Sequence, residues 1–255
     1  MVLGSALDIF SRDGLAYLSR WSHVFVGITW IGLLYFFNFV QVPAFAEMEP
    51  AARNNALDKL TWRALWWFRW AAAATLASGI LLLLFQRDAA GKTQLFSSDY
   101  AKSLHGISIY AGVLLALTMF LNVWLVIWPN QKVVIANARN VQAGGAADPA
   151  AAAAARKGLL ASRQNTIYSL PMLIFMVGTA HFPYQNDATS GSKRAVFWII
   201  WVAIWGVLEL NALGLLGGTS TGGLRTIYDT HRNAIITGFV YSAVALILFS
   251  YILTS

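Results

Sequence analysis

Six long apolar runs, separated by short polar segments, dominate the hydrophobic pattern of this chain. Each run is about 20 residues long, which is the length that a helix needs to cross about 30 Å of hydrocarbon. The predicted spans are 17–41, 64–86, 103–129, 164–183, 195–216 and 232–253. Pro171 interrupts the fourth span, and we expect a kink there rather than a break, since neighbouring helices can satisfy the freed carbonyl. The pattern predicts an all-α fold, a polytopic transmembrane helical bundle of about six spans, in a single domain over residues 1–255.

The longest polar connection lies between the third and fourth spans. Trp128 suits a membrane interface and Pro129 is expected to end the third helix. Further along, Asp148 is placed to cap a short surface helix that has Pro149 at its first position. We therefore expect a cytoplasmic loop over residues 131–163 that contains at most a short surface helix.

The composition excludes several classes of protein. Hydrophobic residues make up 58% of the chain and charged residues 11%, whereas a soluble domain has about a quarter charged residues. The chain contains no cysteine, which excludes disulfides, iron–sulfur clusters and covalently attached c-type haem. The segment before the first span lacks the pattern of a signal peptide, so the first helix is expected to insert uncleaved. An integral membrane protein is predicted, in which any redox group is held noncovalently.

The basic residues indicate the orientation in the membrane. The net charge of +7 does not indicate nucleic-acid binding, because the basic residues lie in short loops between apolar spans. One face collects Arg53, Lys59, Arg63, Lys132, Arg139, Arg156, Lys157, Arg163, Arg225 and Arg232. The other face has Arg12, Arg20, Arg87, Lys92, Lys102, Lys193 and Arg194. By the positive-inside rule the first face is cytoplasmic, and both termini are predicted to be periplasmic.

The four histidines are the main candidates for chemistry, since a histidine within a bilayer is costly unless it is paired, hydrated or ligating. His23, His105 and His181 lie toward the same predicted outer face. His231 enters the sixth span from the opposite side, where a solvated loop residue is expected. We predict a b haem with His23 as one axial ligand and His181 or His105 as the other. Arg20 either meets a haem propionate or extends to lipid phosphates. The alternative for each histidine is a packing or interfacial role without a ligand.

Two further charges, Arg69 and Glu209, fall inside the predicted spans. Ionisable residues in a membrane are functional candidates by default. Two interpretations are open. The two residues form a structural pair, or Glu209 lines a proton or substrate path together with Asn211.

Several segments resemble the membrane domain of the bacterial cytochrome c-linked urate oxidases, also called urate hydroxylases. The segments are Trp21-Ser22-His23, Gly27 to Gly32, Phe68-Arg69-Trp70, Ser78-Gly79, Asn122 to Gln131, Arg163-Gln164-Asn165, Ser169-Leu170-Pro171 and His181-Phe182-Pro183. The first span also resembles the membrane-bound protoporphyrinogen oxidase family, which binds b haem. The resemblance implies a fold suited to b haem in a bacterial inner membrane, passing electrons to a separate cytochrome c or a respiratory complex. The urate-oxidising members carry a C-terminal cytochrome c domain, and this cysteine-free chain contains none.

Three functional hypotheses follow. The first is a membrane b-type haem protein that takes part in electron transfer or in oxidation of a small substrate. The second is a cofactor-free accessory subunit of a larger respiratory or membrane enzyme complex. The third is a metal or solute transporter, in which the three outer-face histidines bind copper or zinc.

Overall fold

The computed structural model describes residues 8–88, 90–178, 181 and 189–254, and within these ranges the chain folds into six long helices. They are α1 (Arg12–Glu47), α2 (Pro50–Phe85), α3 (Leu104–Gln142), α4 (Ala150–Gly178), α5 (Gly191–Ala212) and α6 (His231–Leu253). Five of them, all except α4, are long and apolar enough to cross a membrane. Short helical turns at Gln94–Phe96, Ser98–Lys102, Gly223–Arg225 and Thr226–Asp229 lie in the connections. The predicted all-α, multi-pass membrane bundle is confirmed.

The outer surface of the bundle is apolar. On α1, the large side chains of Trp21, Phe25 and Ile28 are exposed and share one face of the helix. Their polar backbone groups are hydrogen-bonded within the helix, as hydrocarbon requires. This face of α1 is therefore suited to contact with lipid.

The central helix of the bundle is α4. Its 29 residues give a length of about 43 Å at 1.5 Å per residue, but its composition is too polar to qualify by hydropathy. It packs against α3 and α6 most extensively, and also against α1 and α5. Arg163, Gln164, Asn165 and Thr166 are all buried in this helix. The helix runs without a break through Pro171, and the end of the predicted fourth span, 179–180 and 182–183, lies outside the described residues.

The expected loop over residues 131–163 is largely helical, and that prediction was wrong. Helix α3 continues through Pro129 to Gln142, α4 begins at Ala150, and only residues 143–149 connect them. Pro129 follows a π-helical segment, Asn122–Ile127, and stands in the first turn of the next α-helical segment, where its missing N–H is tolerated. Asp148 does cap a helix, since its side chain accepts a hydrogen bond from the Ala150 amide at 2.8 Å. That helix is α4, not a short surface helix.

Candidate functional site

His23 lies on α1 against the neighbouring helix α2. Its Nδ1 is 2.9 Å from the carbonyl oxygen of Thr75 and 3.3 Å from the hydroxyl of Ser78. Because a carbonyl only accepts, Nδ1 carries the proton in this contact, which leaves the Nε2 lone pair available. Histidines that bind metals commonly donate their other ring N–H to a carbonyl or carboxylate in this way. The contact fixes both the tautomer and the orientation of the ring.

Gly79 makes this close approach of α1 and α2 possible. A Cβ at position 79 would stand 3.0 Å from Cε1 of His23, closer than carbon atoms normally pack. The glycine sits one turn after Thr75, whose carbonyl accepts the hydrogen bond. The sequence motif Ser78-Gly79 therefore contributes space and a hydroxyl to the surroundings of His23.

Arg20 lies close enough to both His23 and His105 to act on them through its charge. The guanidinium acts electrostatically on both imidazoles and on Tyr100. His105 is partly buried in the first turn of α3, and its ring meets that of Tyr100 edge to face, with the centroids 5.4 Å apart. Burial, and the neighbouring Tyr110, raise the pKa of Tyr100 well above its usual value, so this phenol is neutral. Two of the predicted ligand histidines thus share one electrostatic neighbourhood with the predicted Arg20.

His181 and His231 lie elsewhere. His181 follows the end of α4 and is exposed, with its Nδ1 3.1 Å from the carbonyl oxygen of Val177. His231 begins α6 at the opposite end of the bundle, after the capping Thr230. Among the described residues, no group of three His, Cys, Asp or Glu side chains is arranged to hold a metal ion. The structure therefore does not gather His23, His105 and His181 into a three-ligand cluster.

A cavity of about 510 Å³ opens at the end of the bundle opposite His23, and sequence reasoning missed it. It is formed between α1, α2, α3 and the beginning of α4. Three π-helical segments contribute to its wall: Phe36–Gln41 of α1, Leu57–Thr61 of α2 and Asn122–Ile127 of α3. Such segments are frequent at functional sites, and they leave no mark in a hydropathy pattern. Their convergence on one cavity makes it a second candidate site.

Neutral amides and hydroxyls supply most of the polar surface of this cavity. They belong to Asn38, Gln41, Asn54, Thr61, Gln131, Asn137 and Ser162, and Arg53 is the charged residue of the lining. The Asn38 amide donates to Leu34 O at 2.9 Å and to Ser162 Oγ at 2.8 Å. Its Oδ1 has no hydrogen-bond partner in the protein, although the residue is only 1% exposed. A buried acceptor of this kind calls for a partner, and a bound molecule or water can supply it.

The cavity and His23 are separate sites. Phe37, in the cavity wall, follows His23 by 14 residues on the same helix, which is about 21 Å along the axis. A molecule in the cavity is therefore not in contact with the His23 imidazole. The two sites occupy opposite halves of α1.

Arg69 and Glu209 do not form the structural pair that was considered. The Arg69 guanidinium stacks on the ring of Trp128, 3.9 Å from its centroid, and lies 5.4 Å from that of Trp124. Glu209 accepts a hydrogen bond from Asn122 at 3.4 Å. The cation is stabilised by aromatic faces and the acid by an amide.

Comparison with protein families connects the chain to urate oxidase. The family described as urate oxidase N-terminal matches residues 89–210. The match covers α3, α4 and nearly all of α5, and it includes the segments Asn122 to Gln131 and Arg163-Gln164-Asn165. His23 and the segment Phe68-Arg69-Trp70 precede it. No curated protein and no solved structure showed a significant match to the chain. Through residues 89–210, this chain is similar to the urate oxidase N-terminal family.

Proposed function

We propose that this urate-oxidase-like membrane protein binds a b haem noncovalently and takes part in electron transfer, with His23 as an axial ligand. The observation that carries the proposal is the hydrogen bond from His23 Nδ1 to the Thr75 carbonyl. It holds the imidazole in the tautomer that an iron ligand needs and directs Nε2 away from α2. The haem, when bound, supplies one-electron redox chemistry.

The residues around His23 have distinct roles in this proposal. Gly79 leaves room for the ring, and the positive charge of Arg20 neutralises a propionate. His105, which lies under the charge of the same arginine, supplies the second imidazole, and the exposed His181 is the alternative. Two neutral imidazoles leave no open position on the iron, which suits electron transfer rather than substrate binding at the metal.

The electron acceptor is a separate cytochrome c or a larger respiratory complex. His23 and His105 lie in the half of the bundle where α2 ends and α3 begins. By the distribution of basic residues this half faces the periplasm of a bacterial inner membrane, with both termini on that side. A soluble cytochrome c in the periplasm reaches this end of the bundle directly.

The test is a reduced-minus-oxidised visible spectrum of the detergent-purified chain, with haem quantified as the pyridine haemochrome. We expect a b-type spectrum that is lost in His23→Ala and retained in His231→Ala, since His231 lies at the opposite end. A folded, haem-supplemented wild type without a b-type spectrum rules the proposal out. If such a preparation still co-purifies with a respiratory complex, the cofactor-free accessory subunit becomes the favoured function.

The cavity favours a second candidate function, the binding of a small polar substrate. Its volume lies within the range of about 300–1,000 Å³ that ligand sites have. Its lining is rich in amides and includes Asn38, whose Oδ1 has no hydrogen-bond partner in the protein. Urate, added to the oxidised protein, is the direct probe of a urate-oxidase-like activity. Urate binding that is lost in Ala155→Phe, with an unchanged b-type spectrum, supports the cavity as the substrate site. If urate does not reduce the haem but a labelled solute crosses reconstituted vesicles, the transporter hypothesis is favoured.

A further inference from the structure

Glu209 is a buried acid near the end of α5, and the haem proposal does not use it. Its residue is 9% exposed. The Asn122 amide donates to Glu209 Oε2 at 3.4 Å and to Asn165 Oδ1 at 3.0 Å, and the Asn165 amide donates to the carbonyl of Met119 at 3.0 Å. The carboxyl group of Glu209 thus receives one long hydrogen bond, from the Asn122 amide.

The arginines near Glu209 are committed to other acceptors. Arg225 donates to Asn211 Oδ1 at 3.1 Å and to the carbonyls of Leu216 and Gly217 at 2.8 and 3.0 Å. None of the salt bridges within the described part of the chain includes Glu209. The carboxyl group therefore has no cation to balance a negative charge.

Arg163, on the central helix, is likewise engaged elsewhere. It donates to the backbone carbonyls of Tyr228 and Asp229 at 2.5 and 2.7 Å. Its neighbour Arg156 is paired with Asp229 at 2.8 Å. Arg156 and Arg163 thus hold the connection before α6. Neither of them pairs with Glu209 on α5.

Two tyrosines are the titratable groups that face Glu209 from the neighbouring elements. They are Tyr168 of α4 and Tyr228 of the turn Thr226–Asp229. The Tyr168 hydroxyl donates to the Trp205 carbonyl at 2.6 Å, and the Tyr228 hydroxyl donates to the Leu208 carbonyl at 2.9 Å. Both phenolic protons therefore point to backbone carbonyls and not to the carboxyl group.

Gln164 is a second buried polar residue of this region whose hydrogen bonds are incomplete. It lies one turn before Tyr168 on α4 and is 0% exposed. Within the described part of the chain, neither Nε2 nor Oε1 of its amide makes a regular hydrogen bond, although the amide lies close to the Tyr168 side chain. Buried polar atoms are rarely left in this state, so this amide requires a partner such as an ordered water.

A lone carboxylate in these surroundings would be unstable. Removing an unpaired charge from water is costly, and one long hydrogen bond from an amide does not offset that cost. The neutral acid avoids it, because protonation removes the charge and adds a donor. We propose that Glu209 is a proton-binding site, which carries its proton at neutral pH and exchanges it with water at the nearby end of α5. This inference is independent of the haem proposal.

The connection that follows α5 lies against the end of the helix near this site. Arg225 and Asn211 hold residues 216, 217 and 224 of the connection over the end of the helix. Its backbone turns at glycines with positive φ, among them Gly214 (φ 80°) and Gly217 (φ 102°). Only glycine adopts these angles without strain. In this proposal, the proton of Glu209 exchanges with water at this end of α5, beside the connection.

The sequence offers a direct experiment, because it contains only three glutamates: Glu47, Glu49 and Glu209. The first two are exposed. Infrared spectroscopy of protein labelled with ¹³C in the glutamate side-chain carboxyl group separates these three from all aspartates. At neutral pH we expect one protonated-carboxyl C=O band that shifts with the label and with D₂O. The band should be lost only when the solution is made alkaline.

Two variants assign the band. Glu209→Gln, which resembles the protonated acid in size and charge, should abolish it, and Glu47→Gln should leave it unchanged. A labelled wild type with no such band at neutral pH overturns the proposal, as does a band that survives Glu209→Gln. If Glu209→Gln does not fold, the labelled wild type decides alone, since ordinary exposed glutamates are ionised at neutral pH. The measurement requires no haem, so failure of the haem proposal does not affect it.

Discussion

The two ends of the bundle hold their polar groups in different ways. At the end with His23, an ionisable ring packs between two helices, so closely that a Cβ added at Gly79 would stand 3.0 Å from it, and a backbone carbonyl fixes its tautomer. At the other end, neutral amides surround an open cavity of about 510 Å³. Close packing holds the His23 ring in one orientation, whereas the cavity leaves space for a bound molecule.

The arginines at the two ends of the bundle also act on different groups. At the His23 end, Arg20 acts on neighbouring rings through its charge. At the other end, Arg163 and Arg225 donate to backbone carbonyls of the connections. Arg20 thus acts on the site itself, whereas Arg163 and Arg225 hold the connections in place.

The largest effect is expected from Arg225→Met, which tests whether arginines hold the cavity end of the bundle. Methionine keeps much of the length but leaves Asn211 Oδ1 and the carbonyls of Leu216 and Gly217 without their donor. We expect a loss of about 3 kcal/mol in the free energy of unfolding. Thermal unfolding in detergent measures it. Arg232→Met, at an exposed position, should change stability by no more than about 0.5 kcal/mol, and equal effects of the two variants would contradict the assignment.

The next prediction compares a packed amide with an amide in the cavity wall. Asn165→Leu removes the acceptor of Asn122 and the donor to Met119 O, and should cost about 2 kcal/mol. Asn38→Leu loses the contact to Ser162, which can rebond to water in the cavity, and should cost about 1 kcal/mol or less. Chemical unfolding of both variants gives the difference. A larger loss at Asn38 would mean that the cavity wall is as tightly packed as the core.

A smaller effect is expected at the His23 end, from Gly79→Ala. The new methyl group forces the His23 ring to shift, and the cost of overpacking exceeds the gain in helix propensity by about 1 kcal/mol. Gly32→Ala, on α1 with nothing within 4 Å of the added carbon, should instead stabilise by up to about 1 kcal/mol. Unfolding temperatures of the two variants should therefore move in opposite directions. In haem-loaded protein, only Gly79→Ala should alter the b-type spectrum.

The smallest effect is a pH dependence at the cavity end. Burial opposes ionisation of Asp229, but hydrogen bonds from the Gly222 amide and the Arg156 guanidinium lower its pKa below the usual 3.8. Its contribution to stability is therefore complete above the usual value and is lost as the pH falls through the lower folded value. Unfolding temperatures measured downward from pH 5 should fall more steeply in the wild type than in Asp229→Asn. Asp99→Asn, at an exposed position, should follow the wild type.

The sequence predicted five of the six long helices well. Predicted spans 195–216 and 232–253 correspond to Gly191–Ala212 and His231–Leu253, because an apolar run of that length has few alternatives to a membrane helix. It failed at α4, whose first half was taken as a loop. Hydropathy registers contact with lipid, whereas buried polar residues of α4 such as Arg163 and Asn165 face other parts of the protein and donate to their backbone carbonyls.

The candidate site was predicted only in part. His23, Arg20 and His105 stand out in sequence because ionisable groups are rare in membranes. Thr75 was not identified, since the group that contacts His23 is a backbone carbonyl, which every residue has. The cavity was also missed, because π-helical segments arise from how helices pack and have no composition of their own.

By itself, the sequence determined that this is an all-helical membrane protein, because hydrocarbon admits few other folds. Its urate-oxidase-like segments also indicated the family to which residues 89–210 are similar. Only the tertiary structure decided the tautomer of His23, the cavity, and the isolation of Glu209 from every arginine. Each of these depends on contacts between residues far apart in the chain, such as His23 with Thr75 or Glu209 with Asn122, and the packing of whole helices selects those contacts.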